Sequence, residues 1–148
     1  ERLNMTAEVI IADILSWIPK DSFDAILLDA PCTGTGTIRR HPDIWHLKTP
    51  EDVADMVILQ DKLLAAAVRL LKPGSNLVFS TCSLQPEECE FRVESILSKN
   101  TSLRRIPIEH YEFPECPEWI TSCGDLRTLP HQLNGVDGFY ACRLTLHS

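Results

Sequence analysis

Long apolar runs are missing from this chain. The longest, Leu63 to Val68, falls far short of the ~20 residues that a membrane-spanning helix needs. No charged-then-apolar leader opens the sequence, so export is not expected. An initiating Met is absent too, and Glu1-Arg2-Leu3-Asn4 reads as part of something longer. Glycine is scarce, at 6 residues, and no G-K-[ST] ending is present, which excludes a P-loop. There is no C-x-x-C, H-x-x-x-H or H-E-x-x-H. His110, Cys116, Cys123 and His131 are too irregularly spaced for a zinc site, so no metal is expected. Positive charge is short as well: 14 Lys and Arg stand against 21 Asp and Glu, a net −7. A domain that held nucleic acid by its overall field would be basic. Any such contact here must be local, and Arg39-Arg40-His41 and Arg104-Arg105 are the only basic clusters. No internal repeat or low-complexity segment is present.

What remains is ordinary for one soluble domain: 148 residues, 44% of them hydrophobic. The six cysteines (32, 82, 89, 116, 123 and 142) are not spaced as a disulfide framework and read as reduced thiols of a cytoplasmic protein.

The pattern along the chain predicts an open α/β sheet. Glu8 to Ala12 is a short apolar run closing on Asp13. A second, Phe23 to Leu28, closes on Asp29-Ala30-Pro31-Cys32. Continuous rather than alternating apolar runs suggest strands buried on both faces of a parallel sheet. Thr49-Pro50-Glu51-Asp52 predicts a helix start, with Thr as N-cap, Pro at the first position and acids at the positive end of the dipole. Val53, Met56, Val57, Leu63, Leu64, Ala67, Leu70 and Leu71 follow at helical spacing, and Lys72-Pro73-Gly74 stops the helix. Asn76 to Thr81 is a third strand. Pro86-Glu87-Glu88 opens a second helix with Cys89, Val93, Ile96 and Leu97 inward. Leu103 to Ile108 reads as a strand, Tyr111 to Cys123 as loop, and Gly138 to Leu146 as a terminal strand after a turn at Asn134-Gly135 to Asp137-Gly138. Ligands of open α/β sheets sit beyond the carboxyl ends of the strands. Asp13, Asp29 with Cys32, and Cys82 all fall at such ends and are expected to converge on one cleft.

Two cysteines stand in informative contexts. DAPCTGTGTIRRHPDIW runs from Asp29, and LLKPGSNLVFSTCSLQPEE from Leu70. With Leu59-Gln60, LRTLPH and DGFYACRL, these segments resemble the RNA cytosine-5 methyltransferases of the Sun/RsmB type, through nearly the whole chain. The resemblance implies a Rossmann-like fold that uses S-adenosylmethionine, and an RNA partner, with small-subunit (16S) ribosomal RNA favoured. It implies no membrane partner, and an oligomeric state is not specified.

The chemistry explains the residue types. Carbon 5 of cytosine is too weak a nucleophile to take a methyl group unaided. A thiolate adding at carbon 6 activates it, a base later removes the carbon-5 proton, and the thiol is expelled. Cys is the side chain best suited to that addition at neutral pH. The residues alone leave open which cysteine attacks; the resemblance assigns attack to Cys82 and release to Cys32. It also places Asp29 at the target base and at the donor, and Asp13 beside the donor's adenine. Pro31 stiffens the loop that presents Cys32, while Gly34 and Gly36 allow close approach of a base or phosphate. Arg39 and Arg40 are candidate RNA contacts. A cysteine hydrolase would need a nearby His, and only His41 is close in sequence.

The family's Gly-rich donor loop and ribose-binding acid, carried on its first two strands, have no counterpart here. The family sheet runs 3-2-1-4-5-7-6, and this chain is expected to begin just before strand 3. Residues 1–148 therefore read as the carboxyl-terminal portion of a single methyltransferase domain with an incomplete donor site. The competing reading is a degenerate, non-catalytic RNA-binding or interaction module.

Overall fold

A computed structural model describes residues 6–133 and 135–147. Five strands form one sheet in the order β1-β2-β5-β3, with β4 also paired to β5. They are β1 (Phe23–Asp29), β2 (Leu71–Thr81), β3 (Leu103–Arg105), β4 (Leu126–Thr128) and β5 (Phe139–Leu146). β1 and β2 are parallel, with Asp29 opposite Ser80. β5 returns antiparallel to β2, pairing Thr81 with Tyr140.

The β1–β2 crossover holds α1 (Ile44–Leu47) and α2 (Pro50–Leu70); α3 (Glu90–Lys99) follows β2. The expected start of α2 is observed in full. Thr49 Oγ1 accepts from Asp52 N, and Asp52 reaches back to Thr49 N, which closes a capping box behind Pro50. α2 ends at Leu70, where the Lys72-Pro73-Gly74 segment follows.

The core lies on one face of the sheet. Leu77 and Phe79 of β2 and Tyr140, Cys142 and Leu144 of β5 alternate inward, against Leu64 and Ala67 of α2, Val93 of α3 and Cys89 just before α3. Phe79 meets the Tyr140 ring edge-on at 6.4 Å. The tail strand is shorter than expected, Leu103–Arg105 rather than Leu103 to Ile108. The loop from Tyr111 to Cys123 holds two 3-10 turns. Of the expected turn before β5, Asn134 lies outside the described residues, and Gly135 adopts φ +109°.

Two expectations are corrected. Residues 8–12 form no strand: Val9 is 84% exposed and Ile11 fully so. A strand needs hydrogen-bonding partners, and among the described residues none lies beside this segment. The second run, Phe23 to Leu28, is also not buried on both faces. Leu28 is buried but Leu27, pointing the other way, is 71% exposed. α2 and α3 share one face, and the outer edge of β1 has no partner among the described residues.

This asymmetry sets a stability contrast. Phe79→Ala is expected to cost about 3–5 kcal/mol, the range for emptying a fully buried aromatic site. Leu27→Ala is expected to stay within about 0.5 kcal/mol, as for an open surface position. Urea unfolding midpoints measure both, and equal losses would contradict the one-sided core.

Candidate active site

Parallel pairing of β1 and β2 brings two loops to the same end of the sheet. The first leaves β1 through Asp29 and Ala30, and Ala30 N donates to Ser80 O at 2.9 Å. The second leaves β2 after Thr81. Cys32 and Cys82, fifty residues apart in sequence, meet with their Sγ atoms 3.4 Å apart. Both are partly exposed and neither is in a disulfide.

Two thiols at this distance share one proton unequally. The contact with the Cys32 thiol lowers the Cys82 thiol to about 7, against the opposing effects of burial and of the Asp29 and Glu88 charges. The same contact, with deeper burial, pushes Cys32 up. The direction of both shifts favours the anion on Cys82 and the proton on Cys32. Cys89, fully buried, is pushed up to about 11 by desolvation and is a packing thiol.

Polar groups fasten both loops. Glu88 is fully buried. It accepts from Thr33 N at 2.8 Å, Thr33 Oγ1 at 2.5 Å and Ser83 Oγ at 2.6 Å. Gln60 Nε2, also fully buried, donates to Glu88 at 3.2 Å and to Pro31 O at 2.9 Å. Leu84 N donates to Thr35 Oγ1 at 2.8 Å. Arg127 of β4 holds the second loop from outside, donating to Ser83 O at 3.2 Å and Leu84 O at 2.8 Å.

Gly36 proves to be a backbone crossing rather than a place for a base or phosphate. Its N–H donates to Cys82 O at 2.9 Å, and its carbonyl accepts from Gly138 N at 2.8 Å. A Cβ at Gly36 would lie 2.0 Å from Gly138 O. Gly34 has φ +72°, which favours glycine.

The structure gathers only some of the expected site residues. Asp29 is exposed at the carboxyl end of β1, its Oδ1 accepting from Ser80 Oγ at 3.0 Å. Pro31 precedes Cys32 and is exposed. Arg39 and Arg40 lie just beyond the first loop and both pair with Asp137, Arg40 at 2.6 Å.

Asp13 does not join them. It sits exposed in a turn whose Oδ1 accepts from Leu15 N. Two features tie that turn to the opposite end of the sheet. Trp17 packs on Phe23, the first residue of β1, at 5.8 Å. Arg69, near the end of α2, reaches Ile14 O and Trp17 O. The strand expected to deliver Asp13 to the cleft is not formed.

Among the described residues no group of three or more His, Cys, Asp and Glu is placed to hold a metal ion, and no helix is long and apolar enough to cross a membrane. A cleft of about 680 Å³ is lined by residues of both loops but not by the thiols. Thr35 and Leu84, Trp45 and Lys48, and Val53 and Val57 of α2 are among the residues that line it.

A sequence model of the 16S rRNA methyltransferase RsmB/F family matches residues 1–145. The chain belongs to this family. "Ribosomal RNA small subunit methyltransferase B" of Shewanella oneidensis is 37% identical over 147 residues, 97% of this chain and 32% of its own length. The protein of that description from Vibrio cholerae is 43% identical over 109 residues, 72% of this chain and 25% of its own. The chain thus spans about a third or less of these relatives.

Among solved structures, NSun6 from Pyrococcus horikoshii with SFG superposes with TM-score 0.74 at 25% identity, covering 95% of this chain and 35% of that one. PH0851 superposes with TM-score 0.70 at 31% identity, over 82% and 26%. The sheet is that of the Rossmann-like S-adenosylmethionine-dependent methyltransferases. The order β1-β2-β5-β3 fits the 4-5-7-6 end of the expected RsmB/F sheet.

Sequence reasoning missed Glu88, Ser83, Thr33 and Arg127 as site builders. Glu88 reads as one more acid at a helix start. Gln60 did leave a signal: it falls on the apolar stripe of α2, between Met56 and Leu64, where a polar side chain needs a buried partner.

The thiol geometry predicts a pH profile. Alkylation of Cys82 by iodoacetamide, followed by peptide mass spectrometry, is expected to rise through a midpoint near pH 7 and level off above it, because the thiolate reacts. Cys32→Ala removes the donor and is expected to move that midpoint upward. A wild-type midpoint above 8.5 contradicts the arrangement. Gly36→Ala is expected to lower stability by about 1–3 kcal/mol, as overpacking does, with wild-type urea stability as the contrary result.

Proposed function

We propose that this chain is the carboxyl-terminal portion of one S-adenosylmethionine-dependent methyltransferase domain, and that the enzyme methylates carbon 5 of a cytosine in 16S ribosomal RNA. The supporting observation is the pair of sulfurs 3.4 Å apart at adjacent strand ends, one disposed to be an anion and the other to keep its proton. RsmB/F membership supports ribosomal RNA as substrate and S-adenosylmethionine as methyl donor. SFG in the NSun6 structure is an analogue of that donor.

In this reading Cys82 Sγ attacks carbon 6 of the base, and the ring electron pair moves toward N3. Asp29 faces N3 and the exocyclic amine and stabilises protonation there. Carbon 5, now enamine-like, takes the methyl group that S-adenosylmethionine supplies. A base takes the carbon-5 proton, which restores the 5,6 double bond and expels Cys82 as thiolate. Cys32 serves this release, and Arg39 and Arg40 contact RNA phosphates. Their exposed pairing with Asp137 is worth about 0–1 kcal/mol, so a phosphate can replace it.

The donor fits the described residues incompletely. Asp29 stands at the carboxyl edge and serves as a donor contact. Asp13, the proposed adenine contact, lies off that edge, in the turn held by Arg69. Donor binding is therefore assigned to the enzyme as a whole.

The cysteine variants, made in the full-length protein, test the proposal. Cys82→Ala is expected to abolish methyl transfer and any covalent complex with RNA. Cys32→Ala is expected to trap the complex, more slowly formed but long-lived, visible as a denaturant-resistant shift on a gel. Full turnover by Cys82→Ala overturns the assignment. RNA binding without turnover in the wild type would favour the interaction-module reading.

A further inference from the structure

A carboxylate in a dry interior is costly unless donors surround it. Glu88 has no cation partner among the described ion pairs, yet it is fully buried. Four donors serve it instead: Thr33 N, Thr33 Oγ1, Ser83 Oγ and Gln60 Nε2. The identity of those donors is the informative part. Thr33 directly follows Cys32, and Ser83 directly follows Cys82. Gln60 also holds the carbonyl of Pro31, the residue before Cys32. One oxygen takes Thr33 N and Gln60, and the other takes the two hydroxyls. A group that merely filled the core would need none of these partners, and an apolar side chain of the same volume would serve at least as well.

We propose that Glu88 is a positioning residue that clamps the Cys32 loop to the Cys82 loop and so sets the separation of the two sulfurs. It touches neither sulfur and no substrate. It acts through Thr33 and Ser83, with Gln60 holding the other side of the first loop. The consequence for methyl transfer rests on the function proposed above, whereas the clamp itself is a property of the folded chain.

The test reads the distance between the thiols without RNA or donor. Phenylarsine oxide joins two neighbouring thiols, forming two arsenic–sulfur bonds and releasing one water. In the full-length protein, wild type is expected to be captured as a single adduct bridging the Cys32 and Cys82 peptides. Glu88→Ala is expected to slow that capture at least tenfold while circular dichroism still reports a folded protein. Glu88→Gln keeps an oxygen for the two N–H groups and lets the hydroxyls turn to accept, so capture is expected to stay within threefold of wild type. Thr33→Val and Ser83→Ala each remove one hydroxyl leg and are expected to slow capture about threefold. Should Glu88→Ala fail to fold, these two variants decide the matter.

Wild-type capture rates in folded Glu88→Ala, or in both hydroxyl variants, overturn the clamp. Loss of capture together with absence of any RNA adduct in wild type would leave the clamp standing and sink the proposed reaction instead.

Discussion

A buried negative charge that must be surrounded by donors is the constraint around which this site is built. Glu88 meets that need with groups from both cysteine loops. Satisfying the charge and bringing the loops together are therefore one event. An apolar core could hold β1 against β2, but it would leave the loops beyond the strand ends free to adopt several conformations. Hydrogen bonds have direction, and four of them on one carboxylate leave little latitude.

The sheet supplies the coarser placement. Parallel strands deliver both loops to the same edge, which an antiparallel pair joined by a hairpin would not do. β5 then runs back alongside β2. The segment entering it crosses the first loop so closely that Gly36 and Gly138 meet backbone to backbone. Arg127, from β4, reaches over to the second loop. Each loop is thus held from the inside by Glu88 and from the outside by the chain's later strands.

Much of this was legible in the residues. The capping box at Thr49, the two apolar helix faces, and the strands around Ile26, Phe79 and Tyr140 follow from local pattern, because each depends on neighbours close in sequence. The adjacency of Cys32 and Cys82 followed from strand-end logic. The strand at Val9 to Ile11 did not form, since pairing depends on a partner that no periodicity within the run can supply. Asp13 was misplaced with it. Glu88 was overlooked because its role comes chiefly from residues 33 and 60, both distant in sequence, while its local setting is that of any helix-start acid.

The crossing of Gly36 with Gly138 has a consequence for the order of assembly. The two residues are about a hundred positions apart, so the first loop gains this brace only after the chain has been synthesised through Gly138. Contacts of such long range close slowly. The Glu88 network, whose members all lie within residues 33–88, is complete in the chain long before Gly138 is added. The brace that Gly138 lays on the first loop thus becomes available later in synthesis than the clamp it supports.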